Sequence, residues 1–415
     1  MQILPSNHMI SFSRRFVIAL CCILFFLSSC ANPIGTSSNT TASTSPVPTK
    51  SDKNGIKTDG KLRAQMTKVE QMMRGMTLDE KMGQLIMVEF FGSDYPNTQL
   101  PYMVSQQHVG GFLYQQVNGN FYAPNNTVSG ARQLPVQADT DAKIPLLVAI
   151  DQEGGYVSKL SSFYGTPPSA AAMAATGDPG KVQAQGALTA QWMQSLGINV
   201  DLAPVVDVGP TTNLLVTRQF SDDPKTVATY AGAFLNGLQT NGIIGCLKHF
   251  PGLGSLSTAS DPHNLLPVVT RSMANLENID FVPYRTVIQQ DHPAMIMTTD
   301  VITNAIDPNT PAELSPRAVN GVLRKELGYN GVIITDGLYM GGVSAFVGSG
   351  GIGKASLLAI LAGNDIVEGP YTASQVASVI QAFKDSIQQG QLTVDRVNQS
   401  VQRILLMKMQ YGIIK

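Results

Sequence analysis

The sequence predicts an α/β fold: a single (β/α)8 barrel of the TIM type over residues 61–415. An open doubly wound sheet is the other topology that the same pattern allows. Three observations lead there. About eight short runs are apolar at nearly every position, as strands buried on both faces of a parallel sheet must be. Segments with helical spacing lie between most of these runs. Polar residues gather at the C-terminal ends of the runs, the end of a barrel where catalytic side chains sit.

The elements follow in chain order. "MTLDEKMGQLIMV" opens a helix with a capping box, Thr77 with Glu80 three residues on. The strand candidates are "LIMVEF", "VGGFLY", "LLVAID", "INVDLAPVVDV", "IIGCLKHF", "AMIMTTDV", "GVIITD" and "NDIVEG". Helical segments between them include "GKVQAQGALTAQWMQSLG", "SPRAVNGVLRKELG" and "GKASLLAILAG". The strand ends supply Asp151, Asp207, Lys248, His249, Asp300, Asp336 and Glu368.

The N-terminus reads differently. Arg14 and Arg15 precede "FVIALCCILFFL", an apolar core too short for a comfortable membrane span. "LSSC" then ends at Cys30, so residues 1–29 are expected to be a lipoprotein signal peptide and Cys30 the lipid-bearing first residue. An ordinary signal peptide or an uncleaved anchor is the alternative. Residues 30–60 are rich in Ser, Thr, Pro and Asn; they bury too little apolar surface to offset ordering and are expected to form a flexible tether. The protein is therefore expected outside the cytoplasm, held to a bacterial membrane by lipid. Beyond the signal and Cys30, Cys246 is the remaining cysteine, so no disulfide or cysteine metal cluster is expected in the barrel.

Composition narrows the partners. Apolar residues make up 43% of the chain and charged residues 14%, with a net charge of −1. Such a surface creates no field for nucleic acid or an anionic membrane. No HExxH or CxxC spacing supports a metal, and "GLGSLS" lacks the Walker Lys and the Rossmann spacing, so neither metal nor organic cofactor is expected; no G-x-S-x-G supports a serine nucleophile.

Candidate chemistry lies at the strand ends. Asp336 precedes Gly337 and either points into the barrel mouth or caps the next helix. Asp151, followed by Gly154 and Gly155, either accepts ligand hydroxyls or belongs to a turn. Arg218 lies in the polar loop "VTRQFSDDP", and either reaches over the mouth or is solvated. In "KHFPGLGSLSTASDPH", Lys248 and His249 end a strand, and Asp261 stands two residues from His263, close enough to orient the ring. A carboxylate nucleophile, an acid/base His and hydroxyl-binding groups suit cleavage of a glycosidic bond with retention.

"DQEGG", "LAPVVDV", "KHFPG", "DPH" and "GVIITDGLYM", in that order, resemble glycoside hydrolase family 3, in particular its bacterial β-N-acetylglucosaminidase branch. The resemblance covers about Lys61 to the C-terminus. It implies a (β/α)8 domain that forms a covalent glycosyl-enzyme. It implies Asp336 as nucleophile, His263 as acid/base with Asp261 as its partner, and Asp151, Arg218, Lys248 and His249 as substrate-binding residues. A further binding Arg of the family corresponds to Lys159, which keeps the charge without the planar fork. Other departures are Leu253 and Ser255 where the family has His and Asp, Tyr156 for Arg, and Asp300 for His. The arm from Lys248 to His263 is also two residues longer than the branch implies.

The function implied is removal of terminal β-linked N-acetylhexosamine from an oligosaccharide or muropeptide, by a monomer. A β-glucosidase, a phosphorylase, or a lipid-anchored saccharide-binding relative without turnover are the alternatives.

Overall fold

The computed structural model describes residues 55–415 apart from Thr211, with Ile56–Lys415 as the compact unit. The expected signal peptide 1–29, Cys30 and residues 31–54 of the expected tether lie outside the described residues. The first helix is Gly55–Arg74, so folded structure begins before the expected boundary at 61. Val69 is buried, and Met72 and Met73 pack on the core; a helix anchored there has no Pro to stop it from running back through 55–60.

Eight strands form a closed barrel, and their order around the barrel is their order along the chain. They are β1 Ile86–Glu89, β2 Gly111–Leu113, β3 Leu147–Ile150 and β4 Val200–Asp201. Then come β5 Ile244–Phe250, β6 Met295–Thr298, β7 Val332–Gly337 and β8 Ile366–Glu368. Every neighbouring pair is parallel, and β8 closes onto β1 through Met87 opposite Glu368. Almost every strand residue is buried, which is why the runs read as continuously apolar rather than alternating.

The long run at 198–208 contributes only Val200–Asp201 as regular strand. Pro204 has no N–H to donate, so the ladder breaks there. It resumes as a single bridge in which Lys248 N donates to Pro204 O and Val206 N to Lys248 O. The outer helices are set by their caps. Asp178 caps Pro179–Leu196, Asp223 caps Pro224–Gln239, and Thr77 with Glu80 forms the expected capping box. The segment 317–326 is helical as expected, but wound with wider i→i+5 bonds.

Two small sheets shape the mouth. After β3 the chain folds into a hairpin, Gln152–Gly154 against Val157–Ser158. Val268–Val269 pairs with Ile302–Thr303, tying the long loop after β5 to the chain that follows β6.

Candidate active site

The C-terminal ends of β3, β4 and β5 meet in one ion network. Lys248 donates to Asp151 Oδ1 at 2.6 Å and lies 2.7 Å from Glu153 Oε1. Arg218 reaches over from its loop and grips the same Glu153 with two parallel bonds of 2.8 Å. Its Nη2 lies 3.3 Å from His249 Nε2. On the far side of that ring, Asp207 Oδ2 is 2.7 Å from Nδ1, and Asp207 Oδ1 accepts from Leu253 N at 2.6 Å. Lys248 and His249, joined by a cis peptide, both belong to this network. Burial pushes the Glu153 carboxyl up, but Arg218 and Lys248 outweigh it and hold it far below the usual range. The same carboxylates hold the Lys248 ammonium above its ordinary value despite burial.

Asp336 stands near the end of β7, half-buried. Thr299, just past β6, donates to Asp336 Oδ2 at 2.8 Å, and Gly337 N donates to Oδ1 at 2.9 Å. Both carboxylate oxygens are thereby oriented. Beneath it lie further acids. Asp300 is fully buried and pushed up to about 9, by burial first and then by the charge of Asp336. Glu313 is raised well above the carboxylate range by burial, then by Asp300 and Asp336. Glu368 is raised likewise, by burial and then by Glu89.

His263 and Asp261 pair with each other, His263 Nδ1 2.8 Å from Asp261 Oδ1. His263 N donates to the same oxygen at 3.0 Å. Burial raises the Asp261 carboxyl, but these bonds from His263 outweigh it and leave it below its ordinary value. The pair is open to solvent, with the His263 side chain 67% exposed. Its backbone rests on the turn after β7: Gly341 N donates to His263 O at 3.2 Å. The loop carrying His263 thus sits on the loop that follows Asp336.

Lys159 follows the 152–158 hairpin, half-buried, and makes no hydrogen bond or ion pair among the described residues. Of the residues expected at the site, Asp151, Arg218, Lys248 and His249 are joined in one network and Lys159 stands outside it.

The profile of the Glycosyl hydrolase family 3 N terminal domain matches residues 77–407. The chain belongs to glycoside hydrolase family 3. It is 37% identical over 273 residues to the beta-hexosaminidase LpqI of Mycobacterium tuberculosis, covering 64% of this chain and 68% of that one. The solved structure of M. tuberculosis LpqI superposes with a TM-score of 0.70 at 31% identity, covering 80% of this chain and 94% of that one. A family 3 beta-N-acetylglucosaminidase from Paenibacillus sp. superposes with a TM-score of 0.75 at 29% identity, over 81% of this chain. This chain spans 63% of the Paenibacillus chain, less than two thirds of its length.

Within this family 3 barrel, sequence reasoning missed Glu153. It lies two residues past Asp151 in "DQEGG", and nothing in its spacing says that it holds both Arg218 and Lys248. Glu89 was missed as well. It ends β1 and accepts from Gln115, Asn118 and the Tyr339 hydroxyl at 3.2, 2.8 and 2.9 Å. Tyr339 follows Asp336 by three residues, so Glu89 ties the β1 side of the mouth to the candidate nucleophile's loop.

Proposed function

We propose that this family 3 chain is a retaining β-N-acetylhexosaminidase that releases a terminal β-linked N-acetylglucosamine. The observation that carries the reading is the arrangement around Asp336. An oriented carboxylate ends β7, a preformed network of ion pairs and hydrogen bonds ends β3 to β5, and an Asp–His pair lies on a loop resting on the carboxylate's own turn. The beta-hexosaminidase and beta-N-acetylglucosaminidase names of its relatives support the sugar.

In this reading Asp151, Lys248, His249 and Arg218 hold the hydroxyls of the terminal sugar. An Asp336 oxygen attacks the anomeric carbon. A C–O bond to the carboxylate forms while the bond to the leaving oxygen breaks, through an oxocarbenium-like transition state. With Nδ1–H donated to Asp261, the free nitrogen of His263 is Nε2. In the imidazolium form Nε2 gives its proton to the leaving oxygen, then takes one from the water that attacks the glycosyl-enzyme. Water ends as the new hydroxyl of the sugar, Asp336 returns to carboxylate and His263 to imidazolium. The chain's own residues supply every proton step.

The N-terminal reading belongs to the same proposal: an exported enzyme held at the membrane by lipid on Cys30.

The test is a panel of aryl β-glycosides, with trapping of the intermediate by a fluorinated sugar. Hydrolysis of the N-acetylglucosaminide and a mass increment on the peptide containing Asp336 are expected. Wild-type activity that survives Asp336→Ala refutes the nucleophile. Turnover of glucosides with none of N-acetylglucosaminides refutes the sugar.

A further inference from the structure

Asp300 stands where the resemblance implies His, so its role cannot be carried over from relatives. It must be read from its surroundings. Thr299 has one hydroxyl proton and two carboxyl groups within reach: Asp336 Oδ2 at 2.8 Å and Asp300 Oδ1 at 3.5 Å. One proton serves one of them, and the short bond goes to Asp336. At 3.5 Å the other contact is a long one, and with the Thr299 proton on Asp336 it leaves the hydroxyl's lone pairs facing Asp300 Oδ1, free to accept a proton from Asp300 if that carboxyl is neutral.

A charged Asp300 would be costly here. It is fully buried, and its Oδ2 has no hydrogen-bond partner. The titratable groups facing it are acids: Asp336 from the end of β7, Glu313 from the turn that follows β6, and Asp261 from the loop after β5. Each favours the protonated form.

Asp300 also supports the turn after β7. A Cβ on Gly342 would stand 2.7 Å from Asp300 Oδ2, so this carboxyl lies directly under the glycine. The same Cβ would stand 3.0 Å from Leu265 O, on the loop that carries His263. One side chain therefore underlies the carboxylate, its turn and the edge of the His263 loop.

We propose that Asp300 is a positioning residue for the Asp336 carboxylate: as a neutral acid it donates to the Thr299 hydroxyl, which donates in turn to Asp336 Oδ2, and its bulk holds the 341–342 turn in place. The proposal rests on Asp336 being the nucleophile. It gives this chain a buried carboxyl, held neutral, where the resemblance implies an imidazole.

The experiment has a spectroscopic arm and a kinetic arm. Infrared spectra of wild type, Asp300→Asn and Thr299→Val are recorded across the pH range. Glu313 and Glu368 absorb in the same region, so the Asp300 band is read as the difference between wild type and Asp300→Asn at neutral pH; it is expected to be lost from wild type near pH 9 and to shift in Thr299→Val, which removes its partner. This arm needs no substrate. In the kinetic arm, the burst of dinitrophenolate from an activated aryl glycoside reports attack by Asp336 without a proton from His263. The burst in Asp300→Ala is expected to slow on the order of 100-fold, the effect of a misplaced reacting group. Asp300→Asn, which keeps size and an N–H donor, should slow less than about tenfold, within 1.4 kcal/mol. The wild-type burst should fall as Asp300 ionises, and that fall should be missing in Asp300→Asn.

Three results each overturn the proposal: no band lost in Asp300→Asn, no shift in Thr299→Val, or Asp300→Asn as slow as Asp300→Ala with native circular dichroism. A wild type with no burst and no label on Asp336 overturns the enzyme reading instead, and the infrared arm still reports on the Asp300–Thr299 bond.

Discussion

Glu153→Gln is the sharpest test of the proposed binding network. The substitution keeps size and removes one charge from between two cations. Glu153 is nearly inaccessible; Arg218 grips it with two bonds of 2.8 Å, and Lys248 is 2.7 Å away. Lys248 keeps Asp151 as a partner, but Arg218 loses its carboxylate and is left with the His249 contact at 3.3 Å. Removing one partner of a buried ion pair costs about 3–5 kcal/mol, because the other charge is left uncompensated. The Gln oxygen still accepts one bond, so the lower end, about 3 kcal/mol, is expected. For a unit running from Ile56 to Lys415 the unfolding entropy is on the order of 0.75 kcal/mol per kelvin, so the melting temperature should drop about 4 °C. The loss has a pH signature. Glu153 has a folded-state pKa below its unfolded value, so its contribution is complete above about pH 4.3 and is lost as pH falls through the folded value. The gap between wild type and Glu153→Gln should be full at pH 7 and shrink in acid. With Arg218 no longer fixed, KM should rise by roughly tenfold, the equivalent of 1.4 kcal/mol of binding. Calorimetry between pH 3 and 8 and steady-state kinetics measure both effects. A Glu153→Gln protein that matches wild type in melting temperature at pH 7 and in KM would refute the account of the network.

Three further outcomes are expected. His263→Ala should lose roughly 100-fold or more on glycosides with poor leaving groups and far less, in the glycosylation step, on activated aryl glycosides; equal losses on both, measured by burst kinetics, would exclude the general-acid role. Lys408 is fully buried, donates to Gln84 Oε1 and Gly110 O, both at 2.9 Å, and is pushed down to about 7 by burial. Between pH 7 and about 10.4 the unfolded chain holds a proton that the folded one lacks, so wild-type stability should rise with pH over that window, by at most about 1.4 kcal/mol per unit, while Lys408→Met stays flat. Cys30→Ser should shift the protein from the membrane to the soluble fraction; unchanged fractionation and unchanged lipid labelling would remove the anchor from the reading.

The barrel was legible because its strands are buried on both faces, and a continuous apolar run with a polar last residue is what such a strand must look like. Asp336, Asp151, Lys248 and His249 were readable for the same reason: strand ends are positions that sequence can count. Arg218 was less accessible, since a loop residue's reach depends on where the loop turns. Glu153 was invisible as a partner because its two cations lie 65 and 95 positions along the chain, and only barrel closure brings them together. Asp300 is similar. Thr299 and Asp336 are 37 residues apart, and the Thr299 hydroxyl reaches Asp336 only when β6 and β7 lie in register, Thr298 beside Thr335. The tether boundary was misjudged because a polar helix start has the composition of a linker, and the buried side chains that anchor it come a dozen residues later.

Leu253 stands where the resemblance implies His, on the arm that joins Lys248 to His263. Leu253 is buried, its N–H is held by Asp207, and Asn213 Nδ2 donates to Gly254 O at 2.9 Å. A Cβ on Gly254 would lie 2.1 Å from Val208 O, so glycine is what lets the arm lie this close. Leu214 N then holds Leu256 O at 3.1 Å. The first half of the arm is therefore fixed to the 207–214 segment through its backbone, and replacing His by Leu at 253 exchanges a polar side chain for core packing without releasing the loop. The second half, 257–263, is mostly half-buried or exposed, and carries the Asp261–His263 pair. The two extra residues of the arm can be accommodated there without disturbing Lys248, His249 or Asp207. In the proposed mechanism the end assigned to the sugar is set by the barrel, and the end assigned to the proton by a loop that rests on Gly341 through one backbone bond. Changes in 257–263 should therefore alter turnover before they alter binding.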